Sequence, residues 1–362
     1  MTQAEVLHMA TGAERSGAVW ELGRLYESMG YRRFKMSRFE EYALYLENEK
    51  FLPAGGIVTF PGKGGKLLAL KPDVTLSILR SVSGERLPKR IYYNENVYRC
   101  DRSGELREIR QTGIEYVGEA GIEAMGEVTA LACESLAALD GGYILDLSHM
   151  GLVTALLGES GLGAAAQEEA LRLIGGKNSH ELRRLMRRSG ADEEKTELLC
   201  ALAVFSGSFE EALAGAGRFA VCPAAGAALG ELRALARVLG GVADLSHIRL
   251  DFSIVNDMSY YNGLIFRGYL PGLPEGILAG GQYDNLARRL SGAPGAIGFA
   301  VYADMLEKPG AGREYLADVL IVSNGNARAA LAAAKKLRAE GRTVAVDAPE
   351  PCRETLVIQE DA

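Results

Sequence analysis

Residues 249–306 limit the fold more than any other part of the chain. The segment reads RLDFSIVNDMSYYNGLIFRGYL and, after a short gap, ILAGGQYDNLARRLSGAPGAIGFAVYADML. Alternating and aromatic residues in the first part (Ile254, Tyr260, Tyr261, Leu264, Phe266) predict half-buried strands, because successive strand side chains face opposite ways. In the second part Gly280 and Gly281 stand where a strand hands over to a helix. The small residues 296–300 then predict a buried strand.

Composition narrows the class. The 362 residues are 48% hydrophobic and 24% charged, as in globular proteins, and suffice for two or three domains. A net charge of -7 gives no overall basic field to attract nucleic acid. The five cysteines (Cys100, Cys133, Cys200, Cys222, Cys352) lack C-x-x-C spacing and read as reduced thiols. The four histidines form no metal pattern, so neither metal nor cofactor is expected. The first residues lack a basic stretch followed by an apolar one, and no run of about 18 apolar residues offers a membrane span. A cytoplasmic protein is expected.

In chain order, Val19, Leu22, Leu25 and Tyr26 recur at helical spacing ahead of Gly30. IVTFPGKGGKLLAL predicts a β-hairpin with a glycine-rich turn; P-loop spacing is absent. LALKPDVTLSILR reads as a strand running into a helix, with Asp73 as a cap by its residues alone. A strand over 91–98, a charged loop and a returning strand through Gln111, Gly113 and Glu115 follow. Gln111 and Glu115, four apart, share one strand face. Residues 151–243 turn rich in Ala, Leu and Glu, with breaks at Gly175, Gly190, Pro223 and Gly240, and predict several short helices. Arg183, Arg184, Arg187 and Arg188 there read as a solvated helix face. LDLSHMGLV and LDFSIV flank the helices as core strands. From Tyr315 the chain reads strand, helix, strand, and then loses pattern in PEPCRETLVIQEDA.

These segments together resemble the class II aminoacyl-tRNA synthetases, and the histidyl-tRNA synthetases in particular. The resemblance implies an α+β fold. Its synthetase-like core, an antiparallel sheet flanked by helices, would span 1–150 and 244–312. A helical insertion would span 151–243, and a truncated anticodon-binding-like α/β remnant 313–362. YRRFKMSRFEEYALYLEN resembles the first signature and implies dimerisation through the core, although Ser37 replaces a family proline. In the family, the acid and threonine matched by Asp73 and Thr75 grip the α-ammonium group of the amino acid. Arg99 matches the arginine that clamps the α-phosphate and the carboxylate. RQTGIE matches a motif whose glutamine (Gln111) meets the amino-acid backbone and whose glutamate (Glu115) binds an imidazole nitrogen. Tyr260 and Tyr261 match the pair that shapes the imidazole pocket.

The nucleotide half of the pattern departs. The activating arginine is replaced by Asn256, a further arginine by Gln282 and the adenine-stacking arginine by Met305. Tyr302 stands at a family glycine, Asp101 at an adenine-contacting acid, and Glu105 replaces an arginine in a shortened loop. Each lost charge-assisted contact is worth about 1.5–3 kcal/mol. A histidine site kept beside a dismantled ATP site resembles the synthetase-like regulatory subunits of ATP phosphoribosyltransferase. That resemblance implies a non-catalytic subunit that binds L-histidine and joins a short-form catalytic subunit in a hetero-oligomer. It would serve the first step of histidine biosynthesis and its feedback regulation, without tRNA and away from membranes. An active histidyl-tRNA synthetase, or an amino-acid sensor for another partner, is the alternative.

Overall fold

The computed structural model describes residues 21–48, 56–100, 104–256, 260–306, 317–349 and 352–358. Two compact units part after Leu306. In the first, the strands are β1 (Arg32–Arg33), β2 (Phe39–Glu41), β3 (Thr59–Pro61), β4 (Leu67–Leu70), β5 (Lys89–Cys100) and β6 (Leu106–Val117). They continue with β7 (Ile144–His149), β8 (Ser206–Ser208), β9 (Ile248–Asp251), β10 (Leu264–Tyr269), β11 (Leu278–Gln282) and β12 (Ala296–Tyr302). Nine of them form one sheet in the order β1-β5-β6-β12-β11-β10-β7-β9-β8, antiparallel throughout its centre. β2, β4 and β3 make a small separate sheet whose β3–β4 hairpin turns through Lys63–Gly65, as predicted from its glycines.

The register divides the sheet into two chemically different faces, since directly opposed residues point the same way. One row runs Ile114, Phe299, Gly280, Phe266, Leu147 across five strands. Its apolar members belong to the main core, beneath the helix Ile122–Leu139. Each such side chain contributes about 1.5–3 kcal/mol by burial. The neighbouring row, Glu115, Gly298, Gly281, Ile265, Ser148, faces the other way. There the helices Thr75–Ser81 and Asp284–Ser291 pack together over a second core that includes Tyr93, Leu76 and Leu286.

The predicted strand run through Ile254, Tyr260 and Tyr261 is broken. β9 ends at Asp251, β10 begins at Leu264, and the two tyrosines precede it in a loop. Burial of Asp251 favours a turn, because its carboxylate accepts from the Ser253 amide (2.9 Å) and hydroxyl (2.6 Å). Residues 296–300 do lie in β12. Val19 lies outside the described residues, whereas Leu22 and Tyr26 are fully buried on a helix that ends before Gly30.

Between β7 and β9 come six helices, from Met150–Glu159 to Pro223–Leu239, broken where the glycines and Pro223 predicted. β7 and β9 are parallel neighbours, with Leu145 opposite Ile248. Parallel strands need a long crossover, and the helical stretch supplies it. It also returns β8 to the sheet edge beside β9. Arg183, Arg184 and Arg187 pair with Glu197, Glu181 and Glu193 at 2.7–2.8 Å on exposed surfaces, as a solvated face does.

In the second unit β13 (Val319–Val322), the helix Ala327–Ala339 and β14 (Val344–Val346) appear as predicted. The chain does not then lose structure. Glu354–Val357 forms β15, parallel to β13 on its other side, giving the order β14-β13-β15. No helix among the described residues is long and apolar enough to cross a membrane.

Candidate functional site

The site is built on the sheet face that carries Glu115. That side chain is 2% exposed. Its two carboxylate oxygens have separate donors: Thr75 Oγ1 reaches Oε1 at 2.7 Å, and the Tyr283 hydroxyl donates to Oε2. Gly298, directly opposite on β12, makes the room. A Cβ there would stand 1.9 Å from Glu115 Oε2. Burial raises the Glu115 pKa to about 8, the two hydrogen bonds partly oppose this, and the nearby Asp73 carboxylate adds to it.

Asp73 sits at the start of the helix Thr75–Ser81, where its Oδ1 accepts from the Leu76 amide at 2.9 Å. It is thus a helix cap, as its residue type alone predicts. Its other oxygen lies 4.0 Å from the Arg99 guanidinium. Burial pushes its pKa up, and Arg99 holds it down. Arg99, near the end of β5, is fixed by its Nε donating to the Pro72 carbonyl at 2.7 Å. Its Nη2 is the nitrogen nearest the acid.

Tyr260 and Tyr261 form the aromatic side. Their rings meet edge to face at 4.5 Å, and both lie within 6.0–6.5 Å of the Tyr283 ring. Gly281 lets Tyr261 lie against β11, since a Cβ there would come within 2.8 Å of the ring. Burial raises all three phenol pKa values, so they are neutral donors. Gln111, 4% exposed on β6, shares the face of Glu115 and is opposed by Tyr302.

The structure therefore brings Asp73, Thr75, Arg99, Glu115, Tyr260 and Tyr261 into one cluster, with Gln111 on the same face. Sequence reasoning missed Tyr283, although AGGQYDNL displays it. Its role depends on β11 ending at Gln282, so that the ring turns back beneath Glu115. Chemically, the Asp73 carboxyl beside the Arg99 guanidinium suits a zwitterionic head group. A buried acid ringed by phenols suits a flat, nitrogen-bearing side chain.

The three expected losses are placed differently. Asn256 is exposed in the loop after β9, and Met305 is half-buried against the main core in the turn Ala303–Leu306. Gln282 is the last residue of β11. It follows Gly281, so strand alternation sends it to the opposite face from Glu115. There its Nε2 donates to Asp284 at 2.8 Å and approaches the Ala120 carbonyl at 3.4 Å. Its Oε1 is buried without a hydrogen-bond partner among the described residues. Asp101 lies outside the described residues.

Comparison with known proteins identifies the family. The histidyl-tRNA synthetase family model matches residues 6–306. An ATP phosphoribosyltransferase regulatory subunit of Symbiobacterium thermophilum is 35% identical over 301 residues, covering 80% of this chain and 75% of that protein. A Bacillus halodurans structure described as an ATP phosphoribosyltransferase regulatory subunit/histidyl-tRNA synthetase superposes with a TM-score of 0.81. It is 23% identical, with all of both chains covered. An ATP phosphoribosyl transferase complex from Thermotoga maritima contains a chain with a TM-score of 0.63 and 20% identity, covering 81% of this chain and 98% of that one. The last two show the class II fold. The family match and the Symbiobacterium relative together place this chain in the histidyl-tRNA synthetase-like family, among the ATP phosphoribosyltransferase regulatory subunits.

Proposed function

We propose that the chain binds L-histidine in the Glu115 pocket and, as the non-catalytic partner of a short-form ATP phosphoribosyltransferase catalytic subunit, conveys histidine feedback to it. The observation that carries this reading is the fully partnered acid: Glu115 held by Thr75 and Tyr283 and walled by Tyr260 and Tyr261. Its imidazole-binding side is assembled, while Asn256 and Met305 bring no cation to the nucleotide side. Tyr302, opposite Gln111, puts a ring where the family keeps a glycine. The partner is supported by the names of the similar proteins and by the Thermotoga complex. A homodimer through the small sheet is supported by exposed Phe39, Leu46 and Leu67 on and beside it.

Calorimetry with L-histidine, then with ATP, tests the pocket: histidine binds and ATP gives no pyrophosphate exchange. Co-purification with a short-form catalytic chain tests the partner, and added histidine should then lower the phosphoribosyltransferase rate. An unchanged rate and histidine response would reject the regulatory role. The second reading, an active histidyl-tRNA synthetase, rests on Arg99 and its approach to Asp73. Histidine-dependent pyrophosphate exchange is its distinguishing result.

A further inference from the structure

The face that carries Glu115 continues across the sheet to a second polar hollow. Two residues from Glu115, the register runs Gly113, Ala300, Ala279, Arg267, Asp146, Arg249. At the far end of that row a cavity of about 480 Å³ opens between the sheet and the end of the helix Ala164–Gly175. Its wall includes Asp146, Lys177, Arg249, Asp251, Arg267 and Tyr269, and none of the histidine-pocket residues named above.

The charges in this wall are arranged asymmetrically. Asp146 is engaged by Arg249 through two bonds of 2.7 and 2.8 Å, and Asp251 by Lys177 at 2.7 Å. Both carboxylates are buried, at 5% and 9% side-chain exposure, whereas Arg249 and Lys177 are each 46% exposed. Acceptor capacity is therefore spent inward, and donor capacity is left facing the hollow. Arg267 is a third cation and makes no hydrogen bond or ion pair among the described residues. Its aliphatic stem rests on Gly276, where a Cβ would come within 2.7 Å of it. Lys177 reaches the hollow from a left-handed backbone position (φ 52), where glycine is the usual residue. Three cations against two paired carboxylates, with the Tyr269 ring beside them, leave a net positive concavity at a junction between substructures, where ligand sites commonly lie.

We propose that this hollow is a binding site for a small oxyanion, a phosphomonoester or a dicarboxylate, held by Arg267 and flanked by Arg249 and Lys177. Because Lys177 belongs to the helical crossover and the arginines to the sheet, the bound anion would join the two. The hollow shares no lining residue with the Glu115 pocket, although the Arg267 charge is felt by Tyr261 there.

The test uses the full chain, titrated calorimetrically with inorganic phosphate and, separately, with succinate at low ionic strength. At least one should bind saturably and weaken about tenfold or more in Arg267→Gln. The L-histidine affinity of the same variant should fall far less than its anion affinity, since Arg267 lines the hollow and reaches the histidine pocket only through its charge. Among the described residues Arg267 makes no hydrogen bond or ion pair, so its replacement strands no buried carboxylate; a melting curve matching the wild type confirms this. Saturable phosphate binding without succinate binding assigns a phosphoryl ligand, and the reverse assigns a dicarboxylate. Saturable binding of neither anion, or equal affinity in wild type and Arg267→Gln, overturns the proposal.

Discussion

Thr75 donates a 2.7 Å hydrogen bond to Glu115 although 40 positions separate them in the chain. The bond joins the first turn of the helix Thr75–Ser81 to the far end of β6, so the pocket exists only once that helix has packed on the sheet. It also fixes the electrostatics: a buried acid has a donor on each oxygen and a second carboxyl nearby.

Replacement of that acid has two separable outcomes. Glu115→Gln should weaken L-histidine binding by about tenfold or more, the worth of a charge-assisted hydrogen bond. It should also alter stability with pH. Glutamate ionises at about 4.5 when unfolded and at about 8 in this pocket. Between those values the folded chain keeps a proton that the unfolded chain has released, so wild-type stability falls as pH rises through the window. Glu115→Gln does not titrate, and its unfolding free energy should gain on the wild type from pH 4.5 to about 8, by up to several kcal/mol. Urea melts without histidine at several pH values measure the difference. A gap independent of pH would contradict the assignment.

Tyr283→Phe removes one of the two donors to Glu115 and little volume. An unpartnered buried oxygen costs about 1–3 kcal/mol, and histidine affinity should fall in step. The acid pKa should rise further, moving the midpoint of the stability change upward. Paired calorimetric and pH-dependent melting experiments read both effects. Affinity equal to the wild type would remove Tyr283 from the site.

Gly298→Ala tests the room behind the acid. The added carbon would meet Glu115 Oε2 at 1.9 Å and the Ile114 carbonyl at 2.3 Å, and the latter is backbone in a central strand. Overpacking there should destabilise the fold by about 1–3 kcal/mol and weaken histidine binding together. A variant that melts and binds like the wild type would show that the strands can separate more easily than their register indicates.

Lys71 lies 1% exposed just ahead of Asp73 and pairs with Glu95 on β5. Lys71→Met leaves that carboxylate with the Met36 amide at 3.3 Å as its remaining described donor. Breaking such a pair should cost about 3–5 kcal/mol, and Lys71→Met with Glu95→Leu should recover much of it. Denaturant melts of both variants decide. An innocuous single replacement would mean that water reaches Glu95 freely.

The cluster around Glu115 was legible because its residues sit in contiguous motifs whose spacing already brings them together: Gln111 with Glu115 on one strand face, and Asp73 with Thr75 at a helix start. Residues 296–300 and the core strands around the insertion were readable for the same local reason. Tyr283 was not, since its direction is set by where β11 stops rather than by its neighbours' identities. Gln282, one step from Gly281 on β11, faces the other way. β15 escaped because ETLV is short and exposed, and its pairing with β13 is a long-range choice made in the folded unit. The break at Asp251 escaped because a buried Asp-turn resembles the aromatic alternation on either side.

The parallel seating of β7 beside β9 bears on the order in which the molecule assembles. Leu145 and Ile248 are neighbours in space, yet the whole helical crossover lies between them in the chain. Closing so long a loop is entropically slow, and contacts that depend on it form late. If the helices collapse first, they shorten the effective loop and carry both strand ends together. The outer edge of the sheet, which includes Arg249 and the hollow beside it, is then the last part of the first unit to close. Hydrogen exchange during refolding should show β9 protected after β5 and β6.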